Sequence, residues 1–234
     1  MLEIASVGFD RPKTAPLPGT VSFYQRHLLV CTGQAEWPSH IAADGGFIQA
    51  LSQAVAGRAS ELALEVKLNA CDEPSSGSGC DLMVFPDGIR YTGLTEADIP
   101  VLIEEHLIGN RPAVQLRHIP LQGQHILICV HMNRDPRCGV CGPALADLFL
   151  QHLAERGLDG QVAVHRTSHL GGQEYAGNVV LYPGGDWYGY VTPADVPRII
   201  EQHIRGGKIV VDRWRGRIGL TREEQVQALA GWET

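Results

Sequence analysis

At 234 residues, 44% of them hydrophobic and 19% charged, the chain can build one large domain or two small ones and is too apolar to stay disordered. A net charge of −7 excludes a general binder of nucleic acid or anionic membranes. No apolar run reaches the roughly 18 residues of a membrane span, and Met1 to Thr20 lacks the apolar core of a secretory signal. The expectation is a cytoplasmic protein whose six cysteines are ligands, redox thiols or small buried residues rather than disulfides.

In chain order, residues 1–20, with Pro12, Pro16 and Pro18 around Gly19, read as an extended lead-in. His27 to Cys31 is an apolar run ending in a cysteine, predicted as a strand. Ile41 to Val55 turns helical, with Phe47, Ile48, Leu51 and Val55 near one face. Leu62 to Leu68 reads as a strand, and the Gly-, Ser- and Pro-rich stretch Asn69 to Gly79 as a loop holding Cys71. Asp81 to Phe85, the turn Pro86 to Gly88, and Ile89 to Thr92 read as a hairpin. Thr95 caps a helix with Ile99, Leu102, Ile103 and Leu107 inward.

The second half repeats this order. His125 to Cys129 is a strand; Leu145, Leu148, Phe149 and Leu153 stripe a helix beginning at Pro143. Gln161 to Arg166 is a strand, Ser168 to Gly177 a loop, and Asn178–Tyr182 with Asp186–Tyr190 a hairpin around Pro183-Gly-Gly185. Thr192 caps the last helix. Laid without gaps over Tyr182–Ile204, the segment Phe85–Leu107 gives ten identities in twenty-three positions, Tyr91 on Tyr188 and His106 on His203 among them. The expected fold is α/β: two tandem thioredoxin-like domains, each a mixed parallel and antiparallel sheet flanked by helices, at residues 21–110 and 121–206. Residues 111–120 link them and 207–234 form a tail, read either as solvated or docked, or as folding back to place Trp214 over the second domain's site.

The chemistry concentrates between Cys129 and Pro143. Cys138-Gly-Val-Cys141 enters a helix, where a thiolate is stabilised, so a redox dithiol is one reading. Cys129, Cys138, Cys141 and a histidine would also suit tetrahedral zinc, and thiolates with imidazoles suit a [2Fe–2S] cluster. The residue types leave all three open.

The pattern Cys129-x8-Cys138, with Arg134-Asp135 and Arg137 inside, is followed by Ser168-His169-x-Gly171-Gly172-x-x-Tyr175-Ala176-Gly177-Asn178. Together these resemble the sucrase/ferredoxin-like family, whose members are thioredoxin-like [2Fe–2S] proteins. The resemblance runs on through Trp187-Tyr-Gly-Tyr-Val-Thr-Pro193 to Trp214-Arg-Gly216, and is weaker over residues 21–110. It implies a [2Fe–2S] cluster on Cys129, Cys138 and two histidines of an His-x-Gly-Gly-His motif. His169 matches the first; Gln173 stands at the second. Cys141 leads as the fourth ligand, with Gln173 or solvent behind it. The implied function is a one-electron carrier rather than an enzyme, serving a redox partner protein. A thiol–disulfide oxidoreductase using Cys138 and Cys141, and a zinc-stabilised interaction module, are the alternatives. No Ser–His–Asp or paired-carboxylate pattern supports a hydrolase.

Other residues have structural readings. His131 is expected exposed or bonded within its loop. His106 and His203 stand near helix C-termini, where imidazolium is favoured. Arg134, Asp135 and Arg137 shape their loop, and Asn178 ties the second loop to the first. In the first half, Cys31, His40, Cys71 and Cys80 offer a zinc set, set against a cluster-free domain packed on the second.

Overall fold

The computed structural model describes Phe9 and residues 16–231, so most of the lead-in, Pro12 included, lies outside the described residues. The first half runs β1 (Arg26–Cys31), α1 (Gly46–Gly57), β2 (Val66–Cys71), β3 (Cys80–Phe85), β4 (Ile89–Leu94) and α2 (Ile99–Val101), which widens into a π-helical stretch, Leu102–Ile108. The short β5 (His118–Pro120) follows. The second half runs β6 (Gln124–Cys129), α3 (Pro136–Glu155), β7 (Val162–Thr167), β8 (Val179–Tyr182), β9 (Asp186–Tyr188) and α4 (Asp195–Ile199), widening likewise over Ile200–Arg205. β10 (Trp214–Arg217) and α5 (Arg222–Ala230) complete it.

All ten strands form one mixed sheet in the order β10-β9-β8-β6-β7-β2-β1-β3-β4-β5. The order reads the same from either end once the halves are matched. In each half the strands joined through a helix, β1 with β2 and β6 with β7, are parallel, while the hairpin strands are antiparallel. The halves join where Cys71 of β2 pairs with Thr167 of β7.

Strand alternation sorts the side chains between layers. Leu28 and Val30 pack under Phe47, Leu51 and Leu102. Ile126 and Ile128 pack under Leu145, Phe149 and Ile200. The intervening residues, Leu29 and Cys31 in β1 and Leu127 and Cys129 in β6, meet in a third core between the half-sheets. There Phe85 stacks on Tyr182 with ring centroids 4.3 Å apart.

Several elements differ from the sequence reading. β2 starts at Val66 and continues to Cys71, so Cys71 lies in a strand, not a loop. Polar Asn69 suggested an end there, yet it is buried with its amide fully bonded. α3 starts at Pro136, one helical turn and more before Pro143, because the Asp135 carboxylate caps the Arg137 N–H (2.9 Å) and proline suits the first helical position. Trp214 does not cover the site. It is fully buried in the core with Leu145 and Ile200, and its indole donates to Asp186 (2.9 Å). His106 and His203 bond to Tyr91 (2.7 Å) and Tyr188 (2.5 Å) of the hairpin strands rather than standing free at helix ends, and His106 also meets Asp87 (3.1 Å). Burial lowers the His203 pKa.

Candidate metal centre

Three sequence-picked residues converge. Cys129 ends β6, Cys138 lies in the first turn of α3, and His169 follows β7. One donor atom from each lies within 4.8 Å of the others. Both cysteines are buried, at 1% and 0% exposure, and free.

Close packing brings the helix to the strand end. A Cβ on Gly142 would fall 2.1 Å from the Cys129 carbonyl oxygen, and one on Gly139 would fall 2.5 Å from Met132 Cα. The glycines of Cys-Gly-Val-Cys-Gly therefore serve approach, whatever the thiols do. Arg137 clasps Asp135 through two bonds (2.8 and 2.7 Å), which fixes the loop as expected.

The His169 loop is anchored from several sides. His131 is buried, accepts from the His169 backbone N–H at Nδ1 (3.1 Å) and donates from Nε2 to the Trp37 carbonyl (3.0 Å). Asn69, from the first half, donates to the Ser168 hydroxyl (3.0 Å) and the His169 carbonyl (2.8 Å). The Cys129 N–H donates to the Asn178 carbonyl (3.2 Å), which ties the two loops. Asn69 and the inward bonding of His131 carried no signal in the sequence, and Ser168 stood there only as part of a motif. Their roles follow from which strands become neighbours.

The electrostatics favour a thiolate. The Cys138 thiol donates to Cys129; together with His169 and the backbone N–H groups of Leu170 and His131 it outweighs burial and holds Cys129 well below the usual thiol range. Cys138 is pushed up in exchange, since its proton is held against Cys129. The His169 Nδ1 is buried without a hydrogen-bond partner. Two buried sulfurs, one held as an anion, and an unpartnered imidazole nitrogen are a donor set that fits a metal ion or cluster.

The remaining candidates stand apart from this group. Cys141 is buried and its thiol donates to the Arg137 carbonyl (2.9 Å) one turn back. Gln173 is half-buried and opens a short turn, Gln173–Tyr175. In the first half Cys31 and Cys71 face each other on paired strands, and their contact with burial raises the Cys71 pKa. His40 is exposed beside Arg134. Among the described residues these do not assemble with Cys80 into a ligand group.

The sucrase/ferredoxin-like family model matches residues 17–216. A protein of Debaryomyces hansenii named altered inheritance of mitochondria protein 32 is 43% identical over 98 residues, 40% of this chain and 35% of the relative. Actin patches distal protein 1 of Saccharomyces cerevisiae is 32% identical over 153 residues, 55% of this chain and 48% of the relative. A 2Fe–2S ferredoxin of Clostridium pasteurianum is 34% identical over 91 residues, 37% of this chain and 89% of the relative. A thioredoxin-like [2Fe–2S] ferredoxin structure from Aquifex aeolicus is 25% identical with a TM-score of 0.37, covering 41% of this chain and 99% of that one. The chain spans less than half the length of the two yeast relatives. These relatives correct the functional expectation. The two yeast relatives are named for mitochondrial inheritance and actin patches, not as electron carriers, so the assignment as an electron-transfer protein does not stand.

Proposed function

The chain belongs to the sucrase/ferredoxin-like family, and from that premise we propose that it is a metal-centre protein holding an iron–sulfur cluster of the [2Fe–2S] type on Cys129, Cys138 and His169. One observation carries the reading: two buried thiols and an imidazole converge within 4.8 Å, and that imidazole has a buried nitrogen with no other partner. The cluster would supply a redox-active iron site with mixed thiolate and imidazole ligation. The chain's residues do the rest. Cys129 is ready to ligate as an anion, Cys138 surrenders its proton on ligation, and His131 and Asn69 orient the His169 loop. Gln173 or solvent would take the fourth position, because Cys141 is not among the donors gathered within 4.8 Å and its thiol turns back to the Arg137 carbonyl.

The test is purification without oxygen, followed by absorption spectroscopy and analysis of iron, sulfide and zinc. About two irons and two labile sulfides per chain are expected. Cys129→Ala and Cys138→Ala should each abolish them with the fold intact by circular dichroism. Stoichiometric zinc without sulfide would replace the cluster by a zinc site on the same residues, and neither metal would reject the metal-centre reading.

A further inference from the structure

Two cations meet at the seam between the halves with no carboxylate between them. Lys67 comes from β2 and Arg215 from β10. Arg215 is 2% exposed, and its bonds go to neutral oxygens: the Thr20 hydroxyl (3.0 Å), the Thr20 carbonyl (2.8 Å) and Asn178 Oδ1 (2.7 Å). Both cations lie over the Trp187 ring, Lys67 Nζ at 5.7 Å and Arg215 Cζ at 5.3 Å from its centroid. Gly171 and Gly172, both at positive φ, keep the backbone bare beneath them. A Cβ on Gly172 would fall 2.4 Å from Arg215 Nη2 and one on Gly171 would fall 3.9 Å from Lys67 Nζ. Between these groups is a cavity of about 60 Å³, lined by Ser22, Tyr24, Lys67, Gly171, Trp187 and Arg215.

Like charges gathered out of water are unfavourable unless an anion answers them. Burial and the charge of Arg215 outweigh the pull of Cys129 and bring the Lys67 pKa down to about 8. Ring faces compensate only part of this, by about 0.5–2 kcal/mol per cation. Among the described residues neither cation is in ion-pair contact with a carboxylate, Glu174 acting on Arg215 and Cys129 on Lys67 only through space, while the cavity leaves room beside both for a group of a few heavy atoms.

We propose that this cavity is a binding site for a small tetrahedral oxyanion of the phosphate or sulfate type, held by Lys67 of one half and Arg215 of the other. The ammonium supplies up to three donors and the guanidinium those N–H groups not directed at Thr20 and Asn178. The site is too small for a nucleotide base and sugar. It does not rest on the metal-centre reading, though Leu170, whose N–H is bonded to Cys129, lines it too.

The full chain is titrated with inorganic phosphate and with sulfate against chloride at matched ionic strength, following Trp fluorescence and the thermal midpoint. A saturable fluorescence change and a raised midpoint with the oxyanions, not chloride, are expected. Lys67→Met should weaken the response at least tenfold and, without phosphate, be no less stable than the parent, since it removes a charge that burial disfavours more than Cys129 favours it. Lys67→Arg should keep the response. Oxyanions no more effective than chloride, or an unchanged response in folded Lys67→Met, would overturn the proposal. So would a phosphate-insensitive protein in which Lys67→Met loses its metal, since the cations would then answer the thiolates rather than a ligand.

Discussion

Asn69 stands at the junction of everything the site depends on. Its Oδ1 accepts from His27 Nε2 (2.9 Å), and its Nδ2 reaches both Ser168 and His169. His27 Nδ1 in turn accepts from Tyr182 (2.9 Å), whose oxygen lies 3.2 Å from that of Tyr24, to which Trp187 donates (2.9 Å). One polar chain thus runs from Trp187 to the His169 carbonyl. Replacing Asn69 by leucine keeps its bulk and leaves the His27 Nε2–H and the His169 carbonyl unanswered, while the Ser168 hydroxyl keeps the Ala70 N–H (3.0 Å). Each lost partner is an unfavourable change of about 1–3 kcal/mol when no water reaches it. Asn69→Leu should lower the urea midpoint by an amount equivalent to at least 2 kcal/mol. Its metal should also exchange with a chelator faster than the parent's; equal exchange would mean the His169 loop holds its shape unaided. Cys129 and Cys138 were legible in the sequence as thiols in one strand-to-helix segment, and His169 through the family resemblance whose motif it opens. Asn69 was not, because an amide in a polar stretch looks the same whether it faces water or a core.

At the scale of elements, the start of α3 decides where two of the cysteines go. Asp135-Pro136 is a helix-start signal present in the sequence itself, ahead of the cysteines that it carries into the helix. With the helix begun there, Cys138 points at Cys129 from the first turn, while Cys141 bonds back to Arg137. Cys141→Ser should therefore leave metal content and spectrum unchanged, whereas bleaching would make Cys141 a ligand. Gly142 is the opposite case. A methyl there meets the Cys129 carbonyl, which cannot rotate away, so the helix must lift from the strand end. Gly142→Ala should destabilise the fold by about 1–3 kcal/mol, judged by denaturant unfolding, and reduce metal retention together with it. Full retention of both would mean that the helix can shift without moving Cys138.

At the scale of the molecule, the doubled order of strands and helices was legible, because ten identities at one spacing betray a repeat. The seam was not. Alternation in β1 and β6 says that Leu29 and Leu127 are buried, but nothing local says that they are buried against each other's layer. That seam holds neutral histidines. Burial, then the charge of Lys67, outweighs the bond to Asn69 and lowers the His27 pKa to about 3. Burial, with the charges of His125 and Arg90, lowers His165 to about 3. An unfolded histidine titrates near 6.5, so each group binds its proton in the unfolded chain first. Their stabilising contribution is complete above about pH 6.5 and is lost as pH falls towards 3, with a slope of up to about 1.4 kcal/mol per pH unit for each. Urea unfolding between pH 7.5 and 5, above the range where carboxylates titrate, should show stability falling steadily below 6.5. His27→Gln removes one of the protons taken up on unfolding, so its stability difference from the parent should shrink as pH drops through that window. A difference constant from pH 7.5 to 5 would mean that His27 is already charged in the folded core, and that the seam is wetter than its packing implies.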